Sequence, residues 1–323
     1  MNPLQPFLDK QGAVILDGGL ATQLEAHGCD LSDALWSARL LIDNPDLIRQ
    51  VHLDYFWAGA DVCISASYQA TLQAFQAHGV PVQEAIRLLR LSVQLVSEAR
   101  DQFWAHARAR SGRLFPLVAA SIGPYGAYLA NGAEYTGDYD LDEDGLFSFH
   151  RQRWHLLART PADIMACETI PSFAEMRALV RLLQETIDAP AGTTASKPAW
   201  FSFTAGNTCQ ISDGTPIAEC ATYLDKIDQV VAIGINCTPP RHITGLIRAI
   251  RAATHKPIII YPNSGETYDA ANNRWLGEAV PAEFGTLCRE WRKEGAALLG
   301  GCCRTTPAHI QQIRDRFKIS NKE

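Results

Sequence analysis

No uninterrupted apolar stretch in the sequence approaches the ~18 residues that a bilayer-crossing helix requires, so there is no candidate membrane span. The opening Met1-Asn2-Pro3-Leu4-Gln5-Pro6 lacks the basic start and apolar middle of a secretory signal, and a cytoplasmic protein is expected. Runs of lysine or arginine are also missing, and the formal net charge is -6. A phosphate backbone would be repelled overall, so no nucleic-acid partner is expected. Internal repeats and domain linkers are absent too. The first apolar run is followed by Asp17-Gly18-Gly19-Leu20-Ala21-Thr22, not by the G-x-G-x-x-G turn that would point to a doubly wound nucleotide-binding sheet.

Hydrophobic residues make up 47% of the 323 positions and charged residues 20%, ordinary values for a globular chain with a sizeable core. One domain over residues 1–323 is expected, because barrel-type α/β domains reach this length once their loops are decorated. Eight short β-branched or apolar runs recur with helical stretches between them: Ala13 to Leu16, Asp61 to Ser65, Phe115 to Ala120, Asp163 to Cys167, Ala199 to Phe203, Val230 to Ile235, Pro257 to Tyr261 and Ala296 to Leu299. The clearest helix is Pro81 to Ala109, where Ile86, Leu89, Val93 and Val96 form an apolar stripe. Pro45 to Ala58, Phe173 to Ile187, Pro216 to Lys226, Pro240 to Ala253, Pro281 to Glu294 and Thr306 to Phe317 read the same way, several with proline in the first turn. Strands alternating with helices in this manner predict a (β/α)8 TIM barrel. Gly123 to Asp144 and Asp188 to Pro198 read as long loops.

The nine cysteines are odd in number and scattered, which favours free thiols and metal ligands over a disulfide framework. Three stand apart. Cys237 closes the sixth predicted strand within Asn236-Cys237-Thr238, and Cys302 and Cys303 follow the eighth within Gly300-Gly301-Cys302-Cys303-Arg304-Thr305. Neighbouring cysteines join each other only through a strained ring, but both can face one ion. In a closed barrel the two strand ends are separated only by the seventh strand, so three thiolates can converge on one Zn2+ per chain and leave a fourth position open. Glycines 300 and 301 are expected to let the backbone turn tightly there. The remaining six cysteines are expected to be buried hydrophobes, and His155, His242 and His309 helix-face residues. A non-catalytic zinc-binding or redox-sensing pair remains the alternative.

Active sites of such barrels lie at the C-terminal ends of the strands. Asp17 and Glu168 end strands one and four, where two carboxylates suit an amino group, acid–base work or a cation; a helix cap and a satisfied core contact are their plainer alternatives. Asn263 follows strand seven as a metal or ligand contact, or as a turn residue before Gly265. Trp36, Tyr68, Tyr125 and Phe203 are candidate aromatic walls around a cation, with ordinary packing as the alternative.

With Leu16-Asp17-Gly18-Gly19, Cys167-Glu168-Thr169, Asn236-Cys237 and Gly300-Gly301-Cys302-Cys303 in this order, the chain resembles the homocysteine S-methyltransferase family from about Val14 to Ile313. Leu35-Trp36-Ser37-Ala38, Ala66-Ser67-Tyr68-Gln69-Ala70-Thr71, Gly123-Pro124-Tyr125-Gly126-Ala127-Tyr128-Leu129-Ala130 and Tyr261-Pro262-Asn263-Ser264-Gly265-Glu266 resemble its single-domain branch that uses S-methylmethionine. The resemblance implies a zinc-bearing barrel that methylates homocysteine to methionine. Cys237, Cys302 and Cys303 match the zinc ligands, Asp17 and Glu168 the positions that hold the substrate amino group, Gly18 and Ser67 positions near that substrate, and Asn263 a residue close to the metal. One barrel leaves no room for folate and cobalamin modules, so a small donor is expected: S-methylmethionine or S-adenosylmethionine, with a betaine-type donor as the alternative. The expected partners are small molecules, acting on a monomer or small homo-oligomer.

Overall fold

The computed structural model describes residues 2–29, 39–188, 197–269, 274–276 and 280–320. Its frame is a ring of eight parallel strands: β1 (Val14–Ile15), β2 (Val62–Ile64), β3 (Leu117–Ile122), β4 (Ile164–Ile170), β5 (Ala199–Phe203), β6 (Val230–Asn236), β7 (Ile258–Tyr261) and, last in the chain, β10 (Ala296–Leu299). They lie in the order β1-β10-β7-β6-β5-β4-β3-β2, and a single parallel bridge between Leu16 and Val62 brings the ends together. The (β/α)8 expectation is met, with the eight strands within a few residues of their predicted places. The remaining two strands, β8 (Thr267–Asp269) and β9 (Arg274–Leu276), pair with each other as an antiparallel hairpin outside the ring.

Alternation along each strand sorts residues between two cores. Val14, Leu16, Val62, Ala119, Ile164, Ala166, Trp200, Ala232, Ile259, Tyr261 and Leu298 fill the barrel interior. One large indole, Trp200, is accommodated there because alanines face it from β3, β4 and β6. Outward residues such as Ile15, Cys63, Val118, Met165, Phe201, Ile233 and Ile260 pack under the helices. The helix Pro45–Ala58 starts where Asn44 Oδ1 accepts from Leu47 N at 3.3 Å and where proline occupies the first turn.

One loop expectation and one helix expectation change. Residues after β3 hold a short helix, Tyr125–Leu129, a 3-10 turn, Ala133–Tyr135, and the start of the helix Glu143–Ala158, capped by Asp142 accepting from Gly145 N at 2.9 Å. Glycine and tyrosine hid the short helix, which is held by packing and not by propensity. The long predicted helix is broken at His106, whose extended backbone separates Val82–Ala105 from Ala107–Arg110 and whose ring packs edge-on to Trp57. Of the expected loop from Asp188 to Pro198, residues 189–196 lie outside the described residues.

Candidate active site

Only β7 separates β6 from β10 in the ring, so Cys237 and the Cys302-Cys303 pair meet at the strands' C-terminal ends. The Cys237 and Cys303 sulfurs are 3.5 Å apart, and all three sulfurs lie within 4.8 Å of one another, a group that could hold a metal ion. Among the described residues no other three histidine, cysteine or acidic side chains converge in this way. Within the cluster the Cys303 thiol is drawn well below its ordinary value by hydrogen bonds from Cys237 and then Cys302. Cys302 is pushed up by the same sharing with Cys237 and Cys303 and by burial.

The backbone is tuned to present these groups. Cys237 sits at φ 46° and Thr169, next to Glu168, at φ 61°, left-handed conformations that a β-branched threonine rarely adopts. Asn236 holds both strand ends: its Oδ1 accepts from Thr169 N and its Nδ2 donates to Thr169 Oγ1, each at 2.7 Å.

The vicinal pair sits on a turn clamped from both sides. Gly301 N donates to Asp17 O at 3.0 Å, Cys302 N to Pro262 O at 2.8 Å, and Ser264 N to Cys303 O at 3.1 Å. Thr305 Oγ1 donates to Cys302 O at 2.7 Å and accepts from Gly19 N at 3.0 Å. Glycines 300 and 301 serve this turn through close approach and not through left-handed backbone, since neither has positive φ. A Cβ on Gly301 would stand 2.3 Å from Thr305 Oγ1, and one on Gly300 would stand 2.6 Å from Leu16 Cβ. Gly18 likewise passes Thr305 and Tyr55, where a Cβ would meet their side chains at 2.9 Å.

Asp17 and Glu168 are buried at the same end of the barrel. Asp17 is not a helix cap, since Gly19 takes that place for Leu20–Ala26; its Oδ2 accepts from Ile64 N at 2.8 Å. Burial first, and the charge of Glu168 after it, push the Asp17 carboxyl well above its ordinary value. Glu168 accepts from Ser121 Oγ and, at 3.1 Å, from Tyr261 OH. Burial outweighs both bonds and raises its carboxyl from 4.5 to about 7. Ser67 is buried behind this pair, donating to Ser121 O at 2.8 Å and accepting from Ser65 Oγ at 2.7 Å. Asn263 Oδ1 is buried without a hydrogen-bond partner, while its N–H donates to Thr238 O at 3.2 Å.

A carboxyl whose folded-state pKa is raised binds more protons folded than unfolded, so its contribution to stability declines as pH rises from 4.5 through about 7. Metal-free wild type is therefore expected to lose melting temperature relative to Glu168→Gln between pH 5 and 8. Parallel melting curves across that range would count against a protonated Glu168.

The aromatic expectations divide. Tyr68 lies close enough to Cys237 for that thiol's charge to raise its phenol after burial does. Phe203 is core, and Tyr125 packs edge-on against Tyr139 and Phe149; Trp36 lies outside the described residues. Of the six other cysteines, Cys63, Cys167, Cys220 and Cys288 are buried, whereas Cys209 is exposed and Cys29 half-buried. Cys209 stands in the turn after β5, where its thiol reaches Asn207 Oδ1 at 3.4 Å, so no core is available to cover it. His309 is buried and caps its own helix, accepting from Thr306 N at 3.1 Å.

Two tyrosines complete the site without having stood out as candidates: Tyr135, whose hydroxyl is 3.3 Å from Cys237 Sγ, and Tyr261, whose hydroxyl gathers Glu168, Ser202 at 2.5 Å and Trp200 at 3.3 Å. Tyr135 comes from the loop after β3, outside any count of strand ends. Tyr261 was visible as the last letter of an apolar run and the first of the motif Tyr261 to Glu266, neither of which points to its hydroxyl.

A profile of the homocysteine S-methyltransferase family matches residues 14–317. The homocysteine S-methyltransferase YbgG of Bacillus subtilis is 51% identical over 97% of both chains, and the homocysteine S-methyltransferase of Escherichia coli 45% identical over 98% of both. The metallated form of the Escherichia coli homocysteine methyltransferase MmuM superposes with a TM-score of 0.86 at 43% identity, covering 98% of this chain and all of that one. With three sulfurs and two carboxylates gathered at one mouth of the same barrel, the chain belongs to the homocysteine S-methyltransferase family.

Proposed function

We propose that this methyltransferase moves a methyl group from a sulfonium donor, S-methylmethionine or S-adenosylmethionine, to the sulfur of homocysteine, with one Zn2+ held by Cys237, Cys302 and Cys303. The convergence of the three sulfurs carries the reading. Tetrahedral Zn–S bonds of ~2.3 Å separate sulfurs by about 3.8 Å, and the trio, with one pair at 3.5 Å and all within 4.8 Å, needs little rearrangement to meet that spacing. Bound zinc supplies deprotonation, keeping as thiolate a homocysteine thiol that, free with a pKa of ~8.5, is mostly protonated at neutral pH.

Three anionic ligands leave the ion with little Lewis acidity and the substrate sulfur with more electron density, an arrangement suited to a nucleophile and not to polarising a carbonyl. Asp17 and Glu168 receive the substrate ammonium, whose positive charge relieves two carboxyls that burial otherwise holds toward their neutral forms. Gly18 keeps the path past Thr305 open, Ser67 braces Ser121 behind Glu168, and the unpartnered Asn263 Oδ1 is an acceptor for a donor group brought in with the ligand. In the transfer the homocysteine sulfur gives its lone pair to the methyl carbon as the bond to the donor sulfur breaks. That bond's electrons stay on the leaving sulfide, and no general acid is required. Dispersal of opposite charges in the transition state favours a mouth closed to water with methyl and sulfur in line.

The test is methionine formation from homocysteine with each donor in turn. Turnover with S-methylmethionine or S-adenosylmethionine is expected. Turnover with betaine alone would overturn the donor assignment, and zinc-loaded protein that neither binds homocysteine nor transfers a methyl group would leave a metal-binding or redox-sensing role for the cysteine trio.

A further inference from the structure

Glu134 occupies the middle of the 3-10 turn Ala133–Tyr135 on the loop after β3. The turn is fixed: Thr204 Oγ1 donates to Glu134 O at 3.1 Å, and Gly126 packs so closely that a Cβ on it would stand 2.3 Å from Glu134 N. The next residue places its hydroxyl 3.3 Å from Cys237 Sγ. Glu134 is thereby held beside the sulfur cluster, yet its Oε2 is buried with no hydrogen-bond partner, and no ion pair reaches it among the described residues. Burial and then the charge of Cys237 oppose its ionisation, and its own charge acts on Cys303 and Tyr68.

A carboxylate with one buried, unpartnered oxygen close to three sulfurs is costly to keep charged and is relieved by an incoming cation. The amino group of the acceptor is already provided for by Asp17 and Glu168. We propose that Glu134 is the counter-charge that binds the positively charged onium centre of the methyl donor, an assignment that rests on the methyl-transfer reading above. Much of the donor's positive charge is still on its sulfur in the transition state, so Glu134 favours the bound ground state and the transition state about equally. It therefore sets donor affinity and not the rate of the chemical step.

Glu134→Gln is expected to raise the KM for S-methylmethionine about tenfold, the scale of one partly desolvated charge contact, with kcat within about twofold of wild type. The Ki of methionine, the neutral sulfide competing with the donor, is expected to stay unchanged. Glu134→Asp keeps the charge and is expected to fall between. Calorimetric titration of S-methylmethionine and of methionine into homocysteine-free protein should show the same selective loss for the cation, whether or not turnover occurs, and betaine in a third titration separates a quaternary ammonium from a sulfonium. An unchanged KM and binding constant for S-methylmethionine in Glu134→Gln would overturn the assignment, as would an equal loss for methionine, which would mean that the side chain acts through shape. Wild type that binds the sulfonium but transfers no methyl group would instead sink the methyl-transfer reading.

Discussion

Cys237→Ser is expected to leave the protein folded, without zinc, and at least ~10³-fold slower in methyl transfer, because an open site with only two sulfur ligands loses both the ion and the thiolate it maintains. The fold should survive because Cys237 lies past the end of β6 and serine is smaller than cysteine. Its position at φ 46° is dictated by Asn236 and Thr169, which the substitution leaves in place. Metal analysis of purified protein, about one zinc per chain for wild type and near none for the variant, reads the first part; single-turnover transfer to homocysteine reads the second. A variant that keeps both its zinc and its turnover would show that Cys237 is not a ligand.

The second large effect is on folding. In the ladder between β6 and β7, Gly234 pairs with Ile259, and a Cβ at residue 234 would stand 1.7 Å from Ile259 O. No rotamer relieves that overlap, since the obstruction is backbone, so Gly234→Ala must part the two strands and break their hydrogen bonds. Overpacking against side chains costs about 1–3 kcal/mol; against a strand backbone about 4 kcal/mol or more is expected, which lowers the melting temperature by about 10 °C. Because β6 delivers Cys237 and β7 leads to Asn263, metal content should fall with stability. Thermal melting and zinc analysis of one preparation would check both, and wild-type values for each would mean that the ladder has slack.

Strand positions were readable because all-parallel strands are buried on both faces and write themselves as apolar runs, as in Val230–Asn236 and Ile258–Tyr261. From eight such runs the ring followed, and with it the meeting of Cys237 with Cys302 and Cys303. Asp17 and Glu168 were legible for the same reason, a charge at the end of a strand being the exception that a pattern exposes. What stayed hidden came from elements without periodicity: the Ala133–Tyr135 turn, held by contacts with Thr204 and Gly126 that no local pattern announces. Asn236 was seen only as a neighbour of a cysteine, because its bonds reach Thr169, a residue distant in the chain. The glycines at 300 and 301 were recognised as turn residues, but sequence cannot distinguish room for a neighbour, which they provide, from freedom of φ.

The turn that carries Cys302 and Cys303 is stitched to both Asp17 and Pro262, and this orders events during synthesis. The 65 positions from Cys237 to Cys302 take the ribosome about 3 to 13 s to add. Throughout that interval one sulfur waits while its two companions have not been made. A metal held by all three sulfurs would thus be captured only after Cys303 has been added and β10 has joined the ring beside β1. The ring is thinnest on either side of β1, with two residue pairs to β10 and one bridge from Leu16 to Val62; a metal on the three sulfurs would tie β10 to β6 across β7, so chelation should loosen β10, and β1 with it, before the other strands.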